Sequence, residues 1–109
     1  MKLQELADRI GLDIQELQEM LEIFLSSGGE DLARLEAAIA AGDAQRAHEA
    51  SHSLKGSAGS LGLDRIFELA KAIDDKDRQG ILDGLDAMVR ELRAEYDALV
   101  AALRQIDPR

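Results

Sequence analysis

Cysteine and tryptophan are absent from this chain, and proline occurs once. Without cysteine there is no disulfide framework, no thiolate nucleophile and no sulfur ligand for a metal. Aromatic residues make up only 3% of the 109 residues, while the hydrophobic fraction is 46%, carried mostly by alanine, leucine and isoleucine. That balance suits a helical bundle and not a sheet protein. Positive charge is in deficit, with 13 Lys and Arg against 22 Asp and Glu and a formal net charge of -9. Nonspecific binding to nucleic acid or to an anionic membrane is therefore not expected. No apolar run approaches the roughly 20 residues of a membrane span. Met1-Lys2-Leu3-Gln4-Glu5 lacks the core of a signal peptide, so a cytoplasmic location is expected. There is no glycine-rich nucleotide loop and no length for an ATP-binding domain. Nothing reads as a linker, a low-complexity tract or an internal repeat, so residues 1–109 are expected to form a single domain.

What is present is helical periodicity. Leu3, Leu6 and Ile10 predict a short first helix that ends at Gly11. Asp13 suits an N-cap, with Glu16 three residues on as in a capping box. Ile14, Leu17, Leu21, Phe24 and Leu25 continue an apolar stripe. The stripe resumes after Ser26-Ser27-Gly28-Gly29 with Leu32, Leu35, Ala38 and Ile39. Residues 13–41 are expected to form one long helix kinked near Gly28-Gly29, with two helices joined there as the alternative. A helix capped by Asp43 should run over about 43–61 and stop at Gly62. Asp64 is placed as the cap of the next helix, with the stripe Ile66, Leu69, Ala70 and Ile73. The charged segment 74–80 is expected to lead into a turn, and a last helix to carry Ile81, Leu85, Met88, Val89, Leu92, Tyr96, Leu99, Val100 and Leu103. The expected architecture is all-α, an up-down antiparallel four-helix bundle with a short extra N-terminal helix. A bundle this small has no room for both a core and a deep pocket, so function should lie on its surface.

The segment around His52 breaks the rule that glycine is avoided inside helices. At about 100° per residue, Ala47, Ala50, Ser51, Leu54, Ala58 and Leu61 share one face, which can pack inward. Gln45, His48, Lys55, Gly56 and Gly59 lie within about 60° of His52 on the opposite face. Each glycine costs a helix about 1 kcal/mol relative to alanine. Close helix packing would explain glycines on the inward stripe. Glycines on the outer face beside an imidazole suggest that another macromolecule approaches the ring closely.

Asp74 lies twelve residues after the Gly62 turn and His52 ten before it. In an antiparallel helix pair these positions have similar height, since each residue rises about 1.5 Å. Asp74 can then accept a hydrogen bond from one imidazole nitrogen and leave the other free as a nucleophile. The competing reading makes Asp74 the start of a solvated acidic run.

The run Ala50-Ser51-His52-Ser53-Leu54-Lys55-Gly56-Ser57-Ala58-Gly59-Ser60-Leu61-Gly62 resembles the motif of histidine-containing phosphotransfer (HPt) domains, His-x-x-Lys-Gly followed by small residues, an apolar residue and Gly. The likeness extends to Phe24-Leu25, Gly42-Asp43 and Gly62-Leu63. It implies that His52 is the phosphoacceptor, that Lys55 offsets phosphoryl charge, and that Gly56 leaves room for a partner's loops. The position matching Asp74 bears Glu or Gln in several members of the family; Asp is shorter. Gly28-Gly29 departs from the better helix formers expected there. The implied reaction relays a phosphoryl group between receiver-domain aspartates, or from a hybrid sensor kinase to a response regulator, through phosphohistidine. The implied partners are response-regulator receiver domains and a sensor histidine kinase. The chain itself would be a carrier without autokinase activity, and a monomer. Met1 close to the first helix favours a free-standing protein over a domain of a kinase.

Other residues around the motif have two readings. Ile10, Leu12 and Ile14 are candidates for partner docking, with Gln45, His48 and Glu49 around them; Leu17 and Phe24 are better placed in the core. His48, one turn before His52, reads as a solvated surface histidine. A His48/His52 pair at i, i+4 could ligate a metal, but the sequence offers no evident third ligand. No metal site and no cofactor of the chain's own are expected, so Mg²⁺ would come from the receiver's acidic pocket. A non-catalytic helical interaction domain is the remaining alternative, and it leaves the two glycines unexplained.

Overall fold

A computed structural model describes residues 2–106. It contains α1 (Leu3–Ile10), α2 (Ile14–Ala40), α3 (Ala44–Ser60), α4 (Asp64–Asp77) and α5 (Leu85–Ile106). Among the described residues, no helix is long and apolar enough to cross a membrane.

The helix ends follow local chemistry. Asp13 and Glu16 form a reciprocal capping box at the start of α2, each side chain accepting the other's backbone N–H. Asp43 caps α3 through the Arg46 N–H. Such caps stabilise a helix by about 1 kcal/mol each. Gly11, Gly42 and Gly62 take left-handed φ at the three sharp connections, a backbone region that only glycine enters without strain. Asp64 is not a cap: Leu63 occupies that position without a side-chain bond. The Asp64 carboxylate instead accepts from Arg9 of α1 at 3.2 Å.

Helices α2, α3, α4 and α5 close a ring, each packed on its two neighbours. The core takes Leu17, Leu21, Phe24, Leu32 and Leu35 from α2, Leu54 from α3, Ile66 and Ile73 from α4, and Leu85, Leu92 and Leu99 from α5. Burying each such side chain stabilises the fold by about 1.5–3 kcal/mol. Helix α1 lies against the α3–α4 turn. There Arg9 donates to the Gly62 carbonyl at 2.6 Å, and a Cβ at Gly62 would meet Leu6 and Ile10.

Two segments test the sequence expectation. As expected, residues 13–41 hold one helix, Ile14–Ala40 with its caps, and the alternative of two helices joined at Gly28-Gly29 is not realised. The glycines there make room for side chains. A Cβ on Gly28 would meet the Phe24 ring and Leu54, and one on Gly29 would lie 2.5 Å from the Tyr96 hydroxyl, which donates to the Leu25 carbonyl. The charged run after Ile73 continues α4 to Asp77 and then leads, as expected, into a turn at 78–80. Ile81 then falls in the connection between α4 and α5, 43% exposed, and not on the last helix.

Candidate functional site

The inward stripe of α4 reads Ile66, Ala70, Ile73 and Asp77, with Asp74 beside it. Its spacing alternates between four and three residues, as a buried helical face requires. The face therefore turns from apolar to acidic within one helix. Asp74 and Asp77 are both buried, at 0% and 2% exposure. Opposite them, α3 turns Ser51, His48, His52 and Lys55 toward the same seam.

Asp74 is the hub. Its Oδ2 accepts from Lys55 Nζ at 2.9 Å and lies 3.3 Å from His52 Nδ1, while Oδ1 lies 2.7 Å from His48 Nδ1. Burial alone would push the Asp74 carboxyl up. The hydrogen bonds from Lys55, His52 and His48 overcome it and hold the group below the ordinary carboxylate range. An ionised carboxylate has no proton to donate, so the shared proton sits on the imidazole Nδ1. The lone pair of His52 is then on Nε2. The His52 side chain is 64% exposed, whereas its carboxylate partner is wholly covered.

The second carboxylate behaves in the opposite way. Asp77 Oδ2 accepts from the Ser51 hydroxyl at 2.8 Å. Its Oδ1 is buried without a hydrogen-bond partner and lies 3.6 Å from His48 Nδ1. Burial pushes the Asp77 carboxyl above its ordinary value, and the neighbouring Asp74 charge adds to this; the Ser51 bond and His48 oppose it only in part.

These contacts revise several sequence expectations. Asp74 and His52 do meet, despite the shortness of Asp. His48 is not a free surface histidine: its side chain is 30% exposed and bonded to Asp74. Nor is the vicinity of His52 without acidic donors for a metal, since one atom each of His48, Asp74 and Asp77 lie within 4.8 Å of one another. Lys55 is anchored on Asp74, with its side chain 24% exposed.

The two glycines differ. A Cβ on Gly56 would meet nothing within 4 Å, so open space adjoins the helix there. A Cβ on Gly59 would lie 3.1 and 3.2 Å from the Phe67 ring, so Gly59 serves helix packing. Gln45 and Glu49 are exposed and bonded to each other at 3.1 Å. Ile10, Leu12 and Ile14 are half-buried against the core. Leu17 and Phe24 are core. The large apolar side chains that are most open lie elsewhere, among them Ile23 at 70% and Met20 at 42%.

Asp77 and Ser51 were missed as members of the site. Each carried a signal. Ser51 falls on the inward stripe of its helix, and Asp77 falls four residues after Ile73 on the stripe of the next. Two polar residues on facing buried stripes require each other as partners.

The model of the Hpt domain family matches residues 19–102. Among solved structures, histidine-containing phosphotransfer protein B (HptB) from Pseudomonas aeruginosa PAO1 is similar, with a TM-score of 0.78 and 26% identity over 94% of this chain and 87% of that one. No match is found among curated protein sequences.

Proposed function

The chain belongs to the Hpt domain family of phosphorelay proteins, and from that premise we propose that His52 carries the phosphoryl group, with residues 1–109 acting as one phosphotransfer domain and α3 as its phosphoacceptor helix. The observation that carries this reading is an exposed imidazole whose Nδ1 is tied to a buried carboxylate. The bond fixes the tautomer and directs the Nε2 lone pair outward.

The donor in this reading is an aspartyl phosphate on a receiver domain. His52 Nε2 attacks phosphorus in line, an N–P bond forms, the P–O bond to the aspartyl carboxylate breaks, and the carboxylate leaves with the electron pair. The Nδ1 proton stays in its bond to Asp74, whose negative charge offsets the positive charge that the ring gains. Return to a second receiver reverses these changes. Positioning and charge neutralisation dominate such a transfer. Mg²⁺ belongs to the receiver's acidic pocket and Lys55 supplies the cation on this side. The open surface at Gly56 admits the receiver's loops; Gln45, Glu49 and the edge of His48, with Ile10, Leu12 and Ile14 toward the Gly62 end, form the surroundings. The domain works as a monomeric carrier between a sensor kinase and a response regulator, without autokinase activity.

The test is incubation with a phosphorylated receiver. His52→Gln should accept no phosphoryl group and keep the helical circular dichroism of the parent. Acceptance at the parental rate would exclude His52, and loss confined to His48→Gln would move the site by one turn.

A further inference from the structure

Around His48 three donor atoms converge, and phosphoryl transfer at His52 uses none of them, since His52 bonds the other oxygen of Asp74. His48 Nδ1 is 2.7 Å from Asp74 Oδ1 and 3.6 Å from Asp77 Oδ1, and the three residues offer donor atoms all within 4.8 Å of one another. A tetrahedral ion with bonds of about 2.0–2.2 Å to nitrogen and oxygen needs donors about 3.3 Å apart. The two distances to His48 bracket that value. A second observation points the same way: Asp77 is 2% exposed, its Oδ1 has no hydrogen-bond partner, and that atom faces the imidazole. A buried acceptor left in this condition costs about 1–3 kcal/mol, which a cation would relieve.

We propose that His48, Asp74 and Asp77 form a binding site for a divalent transition-metal ion of the zinc type. One imidazole nitrogen with two carboxylate oxygens is a donor set for zinc and its neighbours rather than for magnesium, which prefers oxygen ligands alone. The ion takes His48 Nδ1, Asp74 Oδ1 and Asp77 Oδ1. The Nδ1 proton of His48 goes to solvent and its ring keeps a proton on Nε2. Water fills the fourth position. Asp74 Oδ2 remains with Lys55 and His52, so the site lies behind the phosphoacceptor and does not consume it. Ser51 supports it from behind by holding Asp77 Oδ2.

Zinc chloride titrated calorimetrically into the full chain tests the site. The expected result is one ion per chain. Affinity should fall by about tenfold or more in His48→Gln and in Asp77→Asn, and stay within about twofold in His52→Gln. Nitrogen chemical shifts of the imidazoles, followed during the titration of the unmutated chain, should show His48 Nδ1 losing its proton. This readout needs no variant to fold. Absence of stoichiometric binding to the unmutated chain overturns the proposal. So does binding that is lost in His52→Gln and unchanged in Asp77→Asn, since that pattern belongs to a surface pair of histidines. Because the readout is metal binding, failure here leaves phosphoryl acceptance by His52 unaffected, and the reverse also holds.

Discussion

The seam between α3 and α4 is built in two ways along its length. Near the Gly62 turn it is apolar and tight: Ala58, Leu61, Leu63 and Ile66 are buried, and Gly59 lets the Phe67 ring lie against the helix. Farther from the turn it is polar, with Ser51, Asp74 and Asp77 buried beneath His48, His52 and Lys55. The apolar half holds the two helices in register. The polar half depends on that register, because its bonds span both helices. Burying charge stabilises little after desolvation is counted. A fold optimised for stability alone would continue the apolar pattern. This one turns acidic where the exposed imidazole sits, as the proposed phosphotransfer reading expects.

The largest expected effects set one half against the other. Ile66→Ala, in the apolar half, should cost about 2–5 kcal/mol of stability in urea unfolding and leave phosphoryl acceptance per folded molecule near the parental rate. Asp74→Asn should cost about 3–5 kcal/mol, since it leaves the Lys55 ammonium without its buried partner, and should also slow acceptance, since the Nδ1 proton of His52 loses its anionic acceptor. Equal rates in the two variants would mean that the polar half is structural only.

Lys55 sharpens the same contrast at smaller scale. As a surface cation it would contribute almost nothing to stability, but here it holds a carboxylate that is wholly buried. Lys55→Ala should therefore slow transfer and also lower the unfolding midpoint, by about 1–3 kcal/mol. A variant with slow transfer and the parental midpoint would show that the cation acts on the phosphoryl group alone.

The glycines divide along the same line. Gly56→Ala adds a methyl group to open space and should stabilise the helix by up to about 1 kcal/mol while slowing transfer from a receiver. In Gly59→Ala the gain in helix propensity is offset by the Phe67 ring, which must shift by a few tenths of an ångström. Its stability should change little, and its transfer rate should equal the parent's. Parental transfer in Gly56→Ala would mean that no partner comes close at that point.

How far the sequence could be read follows the same division. Apolar periodicity and capping residues placed α1, α2 and α3 within a residue or two, because those signals act between near neighbours. The motif around His52 located the imidazole, and counting residues from the Gly62 turn brought Asp74 to it. The failures were in long-range pairing. Asp77 looked solvated because its sequence neighbours are charged. Only the stripe Ile66-Ala70-Ile73-Asp77 shows that it points inward, and only the facing Ser51 shows why it is tolerated. Gly59 looked like a clearance for a partner because its occupant, Phe67, comes from the next helix. His48 looked solvated for the same reason, its partner being 26 residues away.

The last effect is the most specific to the polar half, and it concerns the sign of a pH dependence. Asp74 is held below its ordinary value, so its contribution to stability is present above about pH 4, the ordinary carboxylate value, and is lost as pH falls through its folded value. Asp77 is held above its ordinary value. The folded chain then binds a proton that the unfolded chain has released, and Asp77 disfavours folding increasingly as pH rises through that interval. Asp77→Asn removes this penalty. The amide oxygen keeps the Ser51 bond, and the uncharged amide avoids the cost of a buried charge. At pH 7 the variant should be more stable than the parent by about 1 kcal/mol, and the advantage should vanish below about pH 4. Unfolding midpoints at the two pH values measure it. A variant less stable than the parent at pH 7 would mean that the Asp77 charge is stabilised by His48, and that the two buried carboxylates act alike instead of in opposition.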